Sequence, residues 1–114
     1  MEIHYSELQN NIRLLNLNGK LDISGVGAIE TRFAGYCAGE KPRVLVDLSN
    51  VNFLSSMGIR LLTLHAKSVA SRGGQMLLLG PIPDVRRALD VTGIPLIIPI
   101  HDALESAEVA FLSQ

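Results

Sequence analysis

Two apolar runs, RVLVDL at residues 43–48 and QMLLLG at residues 75–80, constrain the fold of this chain most narrowly. Neither run alternates between apolar and polar residues, which is typical of strands covered on both faces in a parallel sheet. Between them, residues 56–72 place apolar side chains at helical spacing, in a core-facing stripe that Leu61 and Leu64 widen. Two glycines follow, so a helix is predicted to connect the strands. The pattern therefore predicts a β-α-β unit with two buried parallel strands.

The remaining segments extend this alternation in both directions. Upstream, the opening residues and the run IRLLNLN predict a hairpin that turns at Gln9–Asn11, and apolar spacing predicts a helix over residues 26–38. Downstream, PDVRRALDVTG predicts a shorter helix with Val91 on its apolar side. PLIIPI predicts a strand that its prolines place at a sheet edge, and HDALESAEVAFL predicts a closing helix. The order β-β-α-β-α-β-α-β-α predicts one α/β domain over residues 1–114, with a mixed, mostly parallel sheet and about four helices.

Composition narrows the classes of function. Charged residues make up 18% of the chain and the formal net charge is -1, so no strong field draws the protein to nucleic acid or to an anionic membrane. The apolar runs fall short of the ~18 residues that cross a bilayer, and no membrane insertion is predicted. The lone Cys37 is predicted to be an inert core thiol in a cytoplasmic protein. His4, His65 and His101 lack the spacing of ligands, so no metal site is predicted. The glycines of NGKLDISGVG lack the spacing of a phosphate-binding loop, and no cofactor is predicted.

Ser55 and Ser56 interrupt an apolar run, VNFLSSMGIRLL, at the start of the helix predicted over residues 56–72. Ser55 stands at the N-cap position, where its oxygen can accept from first-turn amides. Ser56 opens a polar stripe, spaced by three or four residues, that is expected to face solvent. The stripe consists of Ser56, Arg60, Thr63, Lys67 and Ser71. Two interpretations remain open: both serines are ordinary first-turn residues, or Ser56 is displayed for phosphorylation, because a helix amino terminus tolerates the added charge of about -2.

The segment VLVDLSNVNFLSSMGIRLLTLHAKSVASRGGQMLLLG, with NGKLD before it and VRRALDVTGI after it, resembles the STAS domain of bacterial anti-sigma factor antagonists. The resemblance covers nearly the whole chain. Its most specific residues are those around the end of the central strand and the start of the next helix, with a second marker at Gly19 and Asp22. The specific residues are Asp47, Leu48, Ser49, Val51, Phe53, Ser56, Gly58 and Ile59.

The resemblance implies a STAS fold and a protein that is not an enzyme. It implies binding to an anti-sigma factor, often a serine kinase, which frees a sigma factor to engage RNA polymerase. It also implies that the kinase phosphorylates Ser56 and that a PP2C-type phosphatase reverses this. Many family members carry Asp before the phosphorylated serine, whereas this chain has Ser55, so Ser55 is a second candidate for modification. A neutral cap repels a neighbouring phosphate less than a carboxylate would, so the phosphorylated form should persist more easily. Because Ser56 opens the polar stripe, we predict modification at Ser56.

The predicted partner-binding surface surrounds the start of the Ser56 helix. Its members are Asp22, Ile23, Ser24, Asn52, Leu54, Ser55, Ser56, Met57 and Arg60. Met57 could equally be an exposed anchor or a core residue. Asp22 could form a carboxylate pair with Asp47 if both lie at one end of the sheet, although turn chemistry explains them equally well.

Two other functions are also compatible with the sequence. Related domains also serve as cytoplasmic subunits of lipid or anion transport systems. An enzyme of the doubly wound type is the third possibility, and it would require a deep pocket at the carboxyl ends of the strands.

Overall fold

The computed structural model describes residues 1–113, and within them five strands and four α-helices follow one another in the predicted order. The strands are β1 (Glu2–Glu7), β2 (Ile12–Leu21), β3 (Arg43–Leu54), β4 (Gln75–Leu79) and β5 (Ile100–His101). The α-helices are α1 (Ile23–Tyr36), α2 (Ser56–Ser71), α3 (Pro83–Val91) and α4 (Leu104–Leu112). Short 3-10 turns occupy Gln9–Asn11 and Ile94–Leu96.

The sheet has the strand order β1-β2-β3-β4-β5, so every strand lies beside its neighbour in the chain. β1 pairs antiparallel with β2, and the other three pairings are parallel. Because parallel crossovers are almost always right-handed, this sequential order places α1, α2 and α3 on one face of the sheet. The strand order never reverses, so the sheet has no topological switch point and is not doubly wound.

Two apolar layers hold the helices on the sheet. The larger one packs α1, α2 and α3 against it through side chains such as Phe33, Leu62 and Leu89. The smaller one lies under α4 on the opposite face and contains Ile12, Leu45, Leu77, Ala107 and Phe111. Since β3 and β4 contribute side chains to both layers, they carry the continuous apolar runs from which they were predicted.

β3 is twice as long as the six-residue run that predicted it. Compared with β2, it contains one extra residue between Asp47 and Asn50 and another at Asn52. Asp47 lies in the middle of the strand, where its carboxylate accepts from Asn16 Nδ2 at 3.1 Å and from the Ser49 amide at 2.9 Å. The predicted turn at this point is therefore a bulge within a continuing strand.

Three further predictions need correction. α1 begins at Ile23 instead of residue 26, because Asp22 caps it. PLIIPI is not a strand: Gly93 has a φ of 75° and starts a 3-10 turn, while the prolines have no N–H to donate to β4. Only Ile100 and His101 pair with β4, at the predicted sheet edge. Val91, predicted to lie on the apolar side of α3, is 80% exposed.

Candidate functional site

β2 and β3 end side by side, because Leu21 is the register partner of Leu54. The chain turns into α1 directly after β2 and into α2 directly after β3. The Ser55 amide donates to the Leu21 carbonyl at 3.0 Å and ties the two exits together. Both helices therefore begin at the same edge of the sheet, next to one another.

The two helix starts have the same construction. Asp22 Oδ1 accepts from the Gly25 amide at 2.7 Å, and Ser55 Oγ accepts from the Gly58 amide at 3.3 Å. Each capping residue is thus followed three positions later by a glycine. A Cβ on Gly25 would overlap the Lys20 carbonyl oxygen, and a Cβ on Gly58 would lie 2.7 Å from a methyl group of Leu54. The glycines let both helix starts pack closely on the strand ends.

Ser55 and Ser56 occupy different environments although they are adjacent. The Ser55 hydroxyl is half-buried; besides capping α2, it donates to the Leu21 carbonyl at 2.7 Å. Ser56 is exposed, and within residues 1–113 its hydroxyl has no hydrogen-bond partner. The prediction that Ser55 caps α2 is confirmed, and both hydrogen bonds of its hydroxyl stabilise the fold.

Ser55→Ala is expected to lower the free energy of unfolding by about 1–2 kcal/mol, because both hydrogen bonds of the hydroxyl are lost. Ser56→Ala should change it by less than about 0.5 kcal/mol, as is usual for an exposed position. Urea unfolding followed by circular dichroism measures both values, with Ser56→Ala as the matched control. Equal losses in the two variants would contradict the assignment of Ser55 as the cap.

The other predicted surface residues divide into exposed and buried positions. Ile23 is 74% exposed, and Ser24, Asn52, Met57 and Arg60 are exposed as well. Asp22 is half-buried because its carboxylate caps α1. Leu54 is a correction: it is buried in the larger core beneath Gly58 and offers almost no surface to a partner.

Phe53 is a candidate contact that sequence reasoning missed. It is 50% exposed and lies with Asn52, Lys20 and Asp22 around a shallow depression. Its outward position follows from the extra residue at Asn52, since one added residue reverses which face of the sheet the next side chain meets. No pattern in the sequence marks that bulge.

A groove between α1 and α2 leads away from the helix starts. α1 contributes Val26 and Glu30, while Met57, Arg60 and Leu64 line it from α2. Met57 is 37% exposed, so of the two alternatives it is an exposed residue and not part of the core. Leu64, predicted to widen the core stripe, is 57% exposed and extends the apolar wall of the groove.

The STAS domain family model matches residues 6–107. The chain belongs to the STAS domain family. This STAS domain is 28% identical over 95 residues to BtrV of Bordetella bronchiseptica, a candidate anti-sigma factor antagonist, covering 83% of this chain and 82% of BtrV. An anti-sigma-factor antagonist domain protein from Planctomyces limnophilus matches with a TM-score of 0.85 and 25% identity, covering 96% of both chains.

A transporter domain shares the same fold. The STAS domain of a SulP transporter from Vibrio cholerae matches with a TM-score of 0.74 and 23% identity, covering 95% of this chain and 86% of that one. The predicted STAS fold is confirmed by these likenesses. In this STAS domain, none of the helices described between residues 1 and 113 is long and apolar enough to span a bilayer.

Burial shifts the pKa of two titratable groups of the STAS domain, His65 and Cys37. Burial lowers the pKa of His65, which packs against the Phe33 ring at 5.2 Å, while the Glu30 carboxylate partly opposes this shift. Burial raises the pKa of Cys37 to about 11, although Arg72 and Arg13 act in the opposite direction. The thiol is therefore protonated at neutral pH, as expected of an inert core residue.

Proposed function

We propose that this STAS domain is an anti-sigma factor antagonist. It binds an anti-sigma factor that is itself a serine kinase, and so releases a sigma factor in the cytoplasm. BtrV and the Planctomyces limnophilus protein, whose names describe anti-sigma factor antagonists, support this function because the likeness covers more than four-fifths of each chain. The protein acts by binding and carries out no chemistry of its own.

The exposed hydroxyl of Ser56 is the observation that carries the proposal. It stands at the first position of α2, beside a serine whose hydroxyl is held by two hydrogen bonds. A phosphate on Ser56 removes no side-chain hydrogen bond that stabilises the fold. Its negative charge is stabilised by the positive end of the helix dipole. A phosphate on Ser55 would remove the cap and the bond to Leu21. The kinase therefore modifies Ser56, and a PP2C-type phosphatase restores the hydroxyl.

The charge added at Ser56 falls in the middle of the proposed docking surface. The surface consists of Ile23, Ser24, Asn52, Phe53, Ser56, Met57 and Arg60, with Asp22 at its base. Ile23, Phe53 and Met57 supply exposed apolar area around the hydroxyl. A dianionic group there must lose part of its hydration when a partner docks, and this cost opposes binding. Phosphorylation thus releases the anti-sigma factor while leaving the fold intact.

Ser56→Asp is expected to weaken binding to the cognate anti-sigma factor at least tenfold, which corresponds to about 1.4 kcal/mol. The cause is an uncompensated charge at the centre of the interface. Isothermal titration calorimetry measures the affinity. Ser68→Asp is the matched control, because it adds the same charge to the same helix three turns away, and it should bind like the unmodified protein.

Peptide mapping after incubation with the cognate kinase completes this test. Phosphate should be found on Ser56 and should disappear in Ser56→Ala. An unchanged affinity of Ser56→Asp, or phosphate on Ser55 alone, would refute the proposed switch.

A role as a subunit of a lipid or anion transport system is supported by likeness of fold alone, as to the Vibrio cholerae domain. A neighbouring gene for a permease or transport ATPase would favour that role. A neighbouring gene for a kinase-like anti-sigma factor or a phosphatase would favour the antagonist.

A further inference from the structure

A polar cleft lies at the end of the sheet opposite to Ser56, where β3 and β4 begin. Its volume is about 670 Å³, within the range of ~300–1,000 Å³ common for small-molecule sites. We call it the amino-end cleft and define it by Arg13, Lys41, Arg43, Gly73, Gly74 and Gln75. None of these residues belongs to the proposed docking surface.

The cleft carries positive charge that is fixed in place. Arg13 donates to the Tyr36 carbonyl at 3.0 Å, and Arg43 donates to the Asn10 carbonyl at 2.7 Å. A carbonyl oxygen orients a guanidinium without neutralising it, and each guanidinium has five N–H donors in total. Two carboxylates, Glu7 and Glu40, also line the cleft, but in residues 1–113 neither forms an ion pair with these cations.

An unsatisfied acceptor lies in the same cleft. The Oε1 atom of Gln75 is buried and has no hydrogen-bond partner among the residues that the structure describes. The backbone keeps the residue in position, because the Gln75 amide donates to the Pro42 carbonyl at 2.9 Å. Buried acceptors without a donor are rare in folded proteins. Because no hydrogen bond holds the side-chain amide of Gln75 in residues 1–113, turning it toward the cleft breaks none, and a ligand hydroxyl there would supply the missing donor.

The backbone around the cleft is held in an uncommon conformation. Asn10, Asn11 and Lys41 have φ values of 63°, 59° and 49°, and within residues 1–113 they are the non-glycine residues with positive φ. For Lys41 this conformation is unfavourable, and a hydrogen bond of 2.9 Å from its amide to the Arg72 carbonyl holds it there. Such strained residues cluster at ligand sites. At Gly74, any side chain would overlap the Pro42 carbonyl oxygen, so the backbone approaches closely here.

We propose that the amino-end cleft binds a small phosphorylated compound that also carries hydroxyl groups, such as a sugar phosphate. Arg13, Arg43 and Lys41 bind the phosphate, since guanidinium groups match its geometry. A hydroxyl of the same molecule donates to Gln75 Oε1. This inference does not depend on the proposed function, because it concerns the opposite end of β3.

Titration with three probes, followed by the amide signals of the ¹⁵N-labelled protein, tests the site. Glucose 6-phosphate should shift the amide signals of Lys41, Arg43 and residues 73–75 and bind at least about tenfold more tightly than inorganic phosphate, since only it also reaches Gln75. Glucose, which lacks the anion, should cause no shift.

Two variants separate the two contacts. Arg43→Met keeps the apolar stem and should weaken both phosphate-containing probes about tenfold. Gln75→Leu should reduce the affinity for glucose 6-phosphate to that for inorganic phosphate and leave inorganic phosphate unaffected. Arg87→Met, at an exposed position of α3 that does not line the cleft, is the control and should bind all probes like the parent protein. A dispersed amide spectrum establishes that each variant is folded.

Two results would overturn the proposal. One is the absence of localised shifts with either phosphate-containing probe at about 10 mM, which is a very weak affinity for a dedicated site. The other is equal binding of inorganic phosphate and glucose 6-phosphate that survives Arg43→Met, which would mean an adventitious ion only.

Discussion

Replacing Gly25 with alanine is expected to lower the free energy of unfolding by about 3 kcal/mol, at the upper end of typical overpacking costs. The new Cβ would overlap the Lys20 carbonyl oxygen and would lie 3.2 Å from the Asp22 carboxylate that caps α1. Both neighbours belong to the strand end and cap that fix the helix, so neither can move without breaking a hydrogen bond. The start of α1 must then move away from β2.

Gly27→Ala is the matched control, two residues further along the same helix. No atom lies within 4 Å of a Cβ at this position, and the residue is exposed. The replacement should raise the free energy of unfolding by about 0.5–1 kcal/mol, because alanine favours the helix more than glycine does. Urea unfolding measures both variants. If Gly25→Ala lowered the free energy of unfolding by less than about 1 kcal/mol, the start of α1 would have moved at little cost, which would contradict the close packing described.

Phe111→Ala should lower the free energy of unfolding by about 3–5 kcal/mol, as is usual when a buried phenylalanine is truncated. Phe111 is 1% exposed and is the largest side chain of the layer under α4. This layer contains few residues, so no neighbouring side chain can fill the space. The amides of α4 should be the first to exchange faster with solvent hydrogen in this variant.

Val109→Ala serves as the control, since Val109 lies on the same helix and is 62% exposed. Its effect should stay within about 0.5 kcal/mol. In Phe111→Ala the amide signals around Ser56 should keep their positions, because α4 lies on the other face of the sheet. Similar losses in the two variants would contradict the description of the layer under α4.

The order and type of most elements follow from apolar spacing alone. Residues 43–48 and 75–80 predicted β3 and β4 because their side chains enter cores on both faces of the sheet. The cap at Ser55 was predictable because a serine directly precedes a helical pattern. The equivalent role of Asp22 escaped prediction: Ile23, Ser24 and Gly25 do not show helical spacing, and tertiary packing against β2 determines the start of α1.

The errors at Leu54 and Phe53 have one cause. In a regular strand that buries Val51, the side chain of Phe53 would point inward and that of Leu54 outward. The extra residue at Asn52 reverses both, so Leu54 joins the core and Phe53 becomes exposed. A bulge depends on how two strands align, and this alignment cannot be derived from the sequence of one of them. The composition of the docking surface was therefore predicted only in part.

The sequential strand order has a consequence for the rate of folding. Each strand of the sheet pairs with the strand next to it in the chain, so closing any pair requires only the intervening turn or helix to form. Loop-closure entropy stays small when the paired segments are close in sequence, and such topologies nucleate readily from local units. A ribosome-bound chain can therefore assemble β1 to β3 with α1 before the later strands have been synthesised.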